Sequence, residues 1–286
     1  MTWDTRSAGL RYVAIGDSVA RGFVPQCPRP WRRDGCDFRL AGVPLRWFDE
    51  PETAYPVVTA RLISEALGRH VEVDMQLTCS GMRTDHLWRD GGPTDILRAR
   101  FAEPADVVTL TMGANDLIVL WHRYLIRATL LRSARHMIPA AGWRLLERRL
   151  APERRRTLVV ASGIEHRLAR VLEWITDRAP DARVVITTYY VGDGGRATST
   201  EFGRSLVEAV IAGSACGPET VAMVDLAPLL TDSASRPRLT SRVDGLHPTP
   251  AGQQVIARAV ADAILRRRPE TSSGPSSNPS MLPGRG

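Results

Sequence analysis

The sequence predicts a single α/β domain, a three-layer α/β/α sandwich with a central parallel sheet. Three observations carry this expectation. Short strand-like runs alternate with helical stretches from one end of the chain to the other, an order that favours parallel strands covered on both faces. The length, 286 residues, suits one large domain of this class, with two small domains as the alternative. Apolar residues make up 43% and charged residues 24%. These are ordinary globular values that exclude a disordered or fibrous chain, and a chain this long buries a large core without needing disulfides.

The elements follow in order. Arg11 to Ile15 is an apolar run ending at Gly16 and reads as a buried strand. Residues 23–52 are rich in Pro, Arg and Trp without a period, and read as a long loop or insertion. Thr53 to Gly68 reads as a helix: Pro56 suits its first turn, Val58, Leu62 and Leu67 lie near one face, and Gly68 ends it. Val71 to Leu77 alternates as a strand, and Asp106 to Met112 is another. Leu117 to Arg156 is helical in composition, broken at Pro139, Gly142 and Pro152.

Val160, Ile164, Leu168, Val171 and Ile175 recur at helical spacing, which predicts an amphipathic helix over 157–179. Arg183 to Tyr189 is β-branched and strand-like, Glu201 to Ala212 a helix, and Val221 to Leu226 a strand. Thr249 before Pro250 is an N-cap followed by proline at the first helical position, and that last helix runs to about Arg268. The domain is therefore placed at 11–268, with an N-terminal tail 1–10, unmatched insertions at 23–52 and 118–156, and a Ser-, Pro- and Gly-rich tail at 269–286 that reads as disordered.

Every basic residue is an arginine, and lysine is absent. That excludes a Schiff-base lysine, a Ser-Lys dyad and a lysine-bearing phosphate loop. The net charge of +7 is unevenly placed. Residues 121–156 hold ten arginines against Glu147 and Glu153, so the rest of the chain is close to neutral. That span reads first as a solvated helical face. Its interleaved leucines leave open a lid, or a surface for anionic lipid or an acidic carrier partner. No recognition motif accompanies the charge, so nucleic acid is not an expected partner. No apolar run reaches eighteen residues, so no transmembrane segment is expected.

Four short segments follow strands or precede the last helix: Gly16-Asp17-Ser18, Cys79-Ser80-Gly81, Gly113-Ala114-Asn115-Asp116 and Asp244-Gly245-Leu246-His247. In parallel α/β folds, sites gather at these carboxyl ends of strands. Serine is a poor nucleophile until a base takes its proton. Ser18 stands at a strand-to-helix turn among small neighbours. His247 sits in a turn-forming loop, three residues after Asp244, which can orient the imidazole and stabilise its charged form. Acyl transfer also needs donors for the oxyanion; the backbone N–H groups of Ser18 and Gly81 and the amide of Asn115 supply candidates. Each residue has a plainer reading. Ser18 alone is a helix cap, Gly81 a turn glycine, Asp116 a cap, and Asp17 a group that hydrogen-bonds its own turn. His86, His122 and His136 lack metal-ligand spacing, so no metal is expected, and no cofactor.

Together these segments resemble the blocks of the SGNH (GDSL) hydrolase superfamily. More narrowly, Tyr12 to Ser18, Ala54-Tyr55-Pro56, Thr78 to Gly81, Thr111 to Leu117 and Asp244 to Pro248 resemble its Streptomyces-type esterase branch. The resemblance spans roughly 11–267. It implies a flavodoxin-like sandwich and a serine esterase or lipase-type hydrolase. The nucleophile would be Ser18, with His247 as base, Asp244 beside it, an oxyanion hole of Ser18, Gly81 and Asn115, and a small-molecule or lipid ester as substrate. An acyltransferase built on the same acyl-enzyme is the first alternative. A non-catalytic docking module using 121–156 is the second. Trp121 and Tyr124 are candidates for lining an acyl pocket, and equally for the core.

The branch resemblance also implies a disulfide joining Cys27 or Cys36 to Cys79; with Cys216, the four cysteines leave the pairing open. Residues 1–10 lack the apolar core of a secretory signal. The expected location is therefore the cytoplasm with reduced thiols, export by another route being the alternative.

Overall fold

A computed structural model describes residues 9–26, 36–40, 43–116, 161–188, 197–216, 220–230, 239–241 and 247–266. Asp244, Trp121, Tyr124, the Arg-rich span 121–156 and the tail from 269 lie outside the described residues.

Beside a two-stranded pair, β6 (Trp88–Arg89) and β7 (Gly92–Pro93), five strands form one parallel sheet. They are β1 (Gly9–Gly16), β5 (His70–Thr78), β8 (Val107–Thr111), β9 (Arg183–Thr187) and β10 (Val221–Val224), in the spatial order β10-β9-β8-β1-β5. The expected α/β sandwich is thus the observed one. The chain leaves β1 for β5 on one side and then returns to β8 on the other. This reversal opens a crevice at the carboxyl ends of β1 and β8, where ligands of such sheets bind.

Alternation along β1 assigns its side chains to two layers. Val13 and Ile15 face one core with Leu110, Ile186, Ile164 and Leu168. Tyr12 and Ala14 face the other with Tyr55, Ile63, Ile256 and Val260. From Tyr12 to Gly16 the strand is wholly buried, as a central strand covered on both faces must be.

The first core is closed by helix α4 (161–178), whose Ile164, Leu168, Leu172 and Ile175 are fully buried at helical spacing. α3 (Asp95–Arg100) and α5 (Ala197–Gly213) cover the same side. The second core is closed by α2 (Tyr55–Leu67), α6 (Leu226–Leu230) and α7 (Pro250–Leu265). In α2 the buried residues are Tyr55, Pro56, Val58, Thr59, Ala60 and Ile63; of the face expected from the sequence, Val58 is buried in the core and Leu62 and Leu67 pack against its margin.

Residues 23–52 differ from expectation. They hold a three-stranded antiparallel sheet, β2 (Phe23–Gln26), β3 (Cys36–Leu40) and β4 (Val43–Asp49), in the order β2-β4-β3. Prolines and arginines obscure a period of two in the text. Pro25 is compatible with its strand because β2 lies at an edge.

Candidate active site

The site begins where β1 stops. Gly16 has no room for a side chain: a Cβ would stand 2.5 Å from Ala20 Cβ and 3.0 Å from the Thr111 carbonyl oxygen. The tight turn is fixed by Asp17 N–H donating to Thr111 O at 3.1 Å. Asp17 caps α1 (Ser18–Arg21), its Oδ1 accepting from Val19 N at 3.0 Å. Ser18 is therefore the first residue of α1, and its N–H is among those a helix leaves unpaired at its start. α1 lasts a single turn, because Gly22 adopts φ +77° and ends it.

His247 arrives from the far end of the chain. Its Nε2 lies 2.8 Å from Ser18 Oγ, across 229 residues of sequence. Backbone bonds hold the loop on both sides: Ser241 N donates to His247 O at 2.7 Å and Thr249 N to Leu239 O at 2.9 Å. Thr249 caps α7 as expected, its Oγ1 accepting from Gly252 N. Gly252 is obligatory, since a Cβ there would stand 2.1 Å from Leu239 O. Phe23 packs its ring against the imidazole, centroids 4.5 Å apart.

The first turn of α7 is stitched to both neighbouring helices by one side chain. Gln253 is fully buried. Its Nε2 donates to Val19 O at 3.0 Å, and its Oε1 accepts from Tyr55 N at 2.9 Å. This amide draws the end of the chain against its beginning. Nothing in its local sequence announces that task, because both partners lie some two hundred residues away.

Two further turns complete the crevice. After β5, Cys79 N donates to Gly16 O and Met82 N to Cys79 O, so the chain reverses at Gly81, which is exposed and has φ +81°. A side chain would be strained there. After β8, Gly113 adopts φ +109° and helical backbone begins at 114. Asn115 Nδ2 donates to Met82 O at 3.1 Å and approaches Asp17 Oδ2 at 3.5 Å. Ser18, Gly81, Asn115 and His247 thus converge on one end of the sheet. Asp244 lies outside the described residues.

Asp17 is more than a turn residue. It is 3% exposed, and burial pushes its carboxyl up to about 6, against the opposing pull of Val19 N–H and His247. Thr84, Asp116 and Arg167 are hydrogen-bonded to one another next to these turns. Sequence reading gave Asp116 only a cap and passed over the other two. Among the described residues Cys79 and Cys216 are free thiols; Cys27 and the side chain of Cys36, the partners the branch resemblance implies for Cys79, lie outside them.

Chemically, an imidazole nitrogen at 2.8 Å can take a hydroxyl proton. Amides on three adjoining turns can receive negative charge on a substrate oxygen.

Comparison with known proteins fits this geometry. Among solved structures the fold is similar to the lipase Lip_vut3 from a goat rumen metagenome, at 15% identity and TM-score 0.53 over 89% of this chain and 97% of that one. It is also similar to a catalytic mutant of Axe2, an acetylxylan esterase from Geobacillus stearothermophilus, at 18% identity and TM-score 0.50 over 91% and 98%. At such identities the likeness is one of fold. A search of curated proteins gives no match. The family model of GDSL-like lipases and acylhydrolases matches residues 14–255, a stretch that contains all four turns. The chain therefore belongs to the GDSL-like lipase/acylhydrolase family and is a carboxylic ester hydrolase.

Proposed function

We propose that Ser18 is the nucleophile of this hydrolase, His247 its general base and Asp244 the group that orients the imidazole. The observation that carries the reading is the 2.8 Å approach of Ser18 Oγ to His247 Nε2. Nε2 takes the hydroxyl proton as Oγ bonds to the ester carbonyl carbon. The tetrahedral oxyanion is held by the N–H groups of Ser18 and Gly81 and by Asn115 Nδ2. The Asn115 hydrogen near Asp17 is only weakly engaged at 3.5 Å and is free to turn to the oxyanion. Collapse expels the alcohol, which leaves with the proton from His247. Water then attacks the acyl-enzyme, giving its proton to Nε2, and Ser18 is released with a carboxylic acid.

The test uses a fluorophosphonate probe and an aryl ester. The probe labels Ser18 in the wild type, and Ser18→Ala and His247→Ala abolish labelling. Ester hydrolysis falls roughly 10⁴- to 10⁶-fold in either variant. Labelling that survives in His247→Ala would remove the imidazole from the mechanism. Adding a panel of alcohols separates hydrolase from transferase: acyl transfer that outruns hydrolysis at dilute acceptor would reassign the reaction while leaving Ser18 in place.

A further inference from the structure

Two of the three oxyanion donors proposed for this site, Gly81 and Asn115, sit on separate turns, and each turn taken alone is short. Gly81 is exposed on a reversal with no neighbour within 4 Å of where its Cβ would be. Asn115 lies two residues after Gly113, whose backbone has φ +109°. Two loops of this kind hold a fixed separation only if something ties them together.

The tie is a closed ring of hydrogen bonds among three residues. Thr84 N donates to Asp116 Oδ2 at 2.9 Å, and Thr84 Oγ1 donates to Asp116 Oδ1 at 2.8 Å. Arg167, on α4, donates from Nε to Thr84 Oγ1 at 2.7 Å and from Nη2 to Asp116 Oδ1 at 3.3 Å. The Thr84 hydroxyl thus spends its proton on the carboxylate and a lone pair on the guanidinium. Thr84 is fully buried, and the Asp116 side chain is 5% exposed.

The guanidinium fork suits this arrangement. Nε and Nη2 lie on one edge of a rigid plane and reach two different acceptors at once. The side chain passes back over its own helix at Gly163, where a Cβ would stand 3.4 Å from Arg167 Nη1. The ring lies beside both donors. Asp116 is the residue after Asn115, and Thr84 is three residues after Gly81. Between them Asn115 Nδ2 donates to Met82 O. The hydrogen bonds that join the two turns directly, among the described residues, lie in this small patch.

We propose that Thr84, Asp116 and Arg167 form a positioning clamp that sets the distance between Gly81 N–H and Asn115 Nδ2. The inference rests on the reading of Ser18, Gly81 and Asn115 given above. The three clamp residues touch no substrate. They act through the donors, so their loss falls on the transition state, where the oxyanion exists, and not on ester binding. A displacement of about 1 Å at a reacting centre costs on the order of 10²-fold in rate.

Thr84→Val keeps the shape and removes the hydroxyl. Arg167→Met keeps the stem and removes the fork. Each lowers kcat for an aryl ester by roughly 10- to 100-fold with KM within about twofold. Thr84→Ser, which retains the hydroxyl, restores most of the rate. Arg167→Lys does not, because one ammonium cannot bridge both acceptors in the guanidinium's geometry. Affinity for a trifluoromethyl ketone, which presents an oxyanion after addition of Ser18, falls in step with kcat/KM.

In an Asn115→Ala background the Thr84→Val change costs little further, since the donor it positions is gone. Fluorophosphonate labelling of Ser18 in the wild type stands as a separate control. If the wild type is not labelled, the reading of the nucleophile fails. If it is labelled and the Thr84 and Arg167 variants keep wild-type kcat, the clamp alone is refuted. Equal and additive losses with and without Asn115 would make the ring a structural support only, and would likewise overturn the proposal. Should Thr84→Val not fold, the Arg167→Lys variant, altered at a partly exposed position, carries the same comparison.

Discussion

The two ends of the central sheet are both rich in polar groups, and one buried carboxylate at the carboxyl end, Asp17, is treated unlike those at the amino end. At the amino end, Arg11 donates to Glu103 O and Arg100 O and pairs with Asp74 at 3.5 Å, while its backbone N–H goes to Asp106 Oδ2 at 2.7 Å. Arg100 also faces Asp74, at 3.9 Å. Positive and negative groups alternate there, and water reaches the edges: the Arg11 side chain is 24% exposed. At the carboxyl end, among the described residues, no arginine pairs with Asp17, although the residue is almost wholly buried. A cluster of charges is therefore a poor guide to chemistry by itself. The informative sign is a charge kept where the fold gives it no cation, beside a hydroxyl and an imidazole already in contact.

That contrast can be broken in three places. The largest effect is expected at Asn115. Asn115→Ala removes one of the proposed oxyanion donors and is expected to lower kcat on the order of 10²- to 10³-fold, measured by steady-state hydrolysis of an aryl ester, with the fold retained by circular dichroism. A loss below fivefold would take Asn115 out of the oxyanion hole.

The second concerns Asp17. Its folded-state carboxyl is raised to about 6, above the value near 3.9 of an unfolded chain. The folded state therefore binds that proton more tightly. The associated stability is complete below about pH 4, declines as pH rises from about 4 to 6, and is absent above. The difference amounts to about 3 kcal/mol. Asp17→Asn cannot ionise, so its stability relative to wild type climbs by that amount across the same window. Urea unfolding of both proteins at several pH values reads it. Parallel curves would show that Asp17 is not strained by burial.

The smallest effect sharpens the other side of the comparison. Arg11→Met at the amino end destabilises the fold by about 1–3 kcal/mol, seen as a lower urea midpoint, and leaves kcat within about twofold.

The sequence made one end of the sheet legible and left the other dark, for a physical reason. Ser18, Gly81, Asn115 and His247 each stand beside glycine, proline or another turn former, so chemistry and punctuation coincide in the text. Asp17 was readable as a turn capper, and its bond from Val19 N–H is just that. What could not be read is its burial, which depends on Thr111, Asn115 and the docking of α7. Thr84 and Arg167 look like ordinary loop and helix residues, because their meaning lies in partners 32 to 83 positions away. The antiparallel strands of 23–52 were hidden differently. Their pairing, such as Val24 with Phe48, is non-local, and prolines interrupt the alternation that would have marked them. The two-layer core, in contrast, was written in the order of strands and helices itself.

Gln253 has a consequence for the life of the molecule. The amide that fastens α7 to α1 stands 234 residues after its partner in that helix. A polypeptide still on the ribosome carries its serine through 229 further residues of synthesis before the imidazole can be delivered to it. The reactive pair is armed only after every strand of the central sheet has been made.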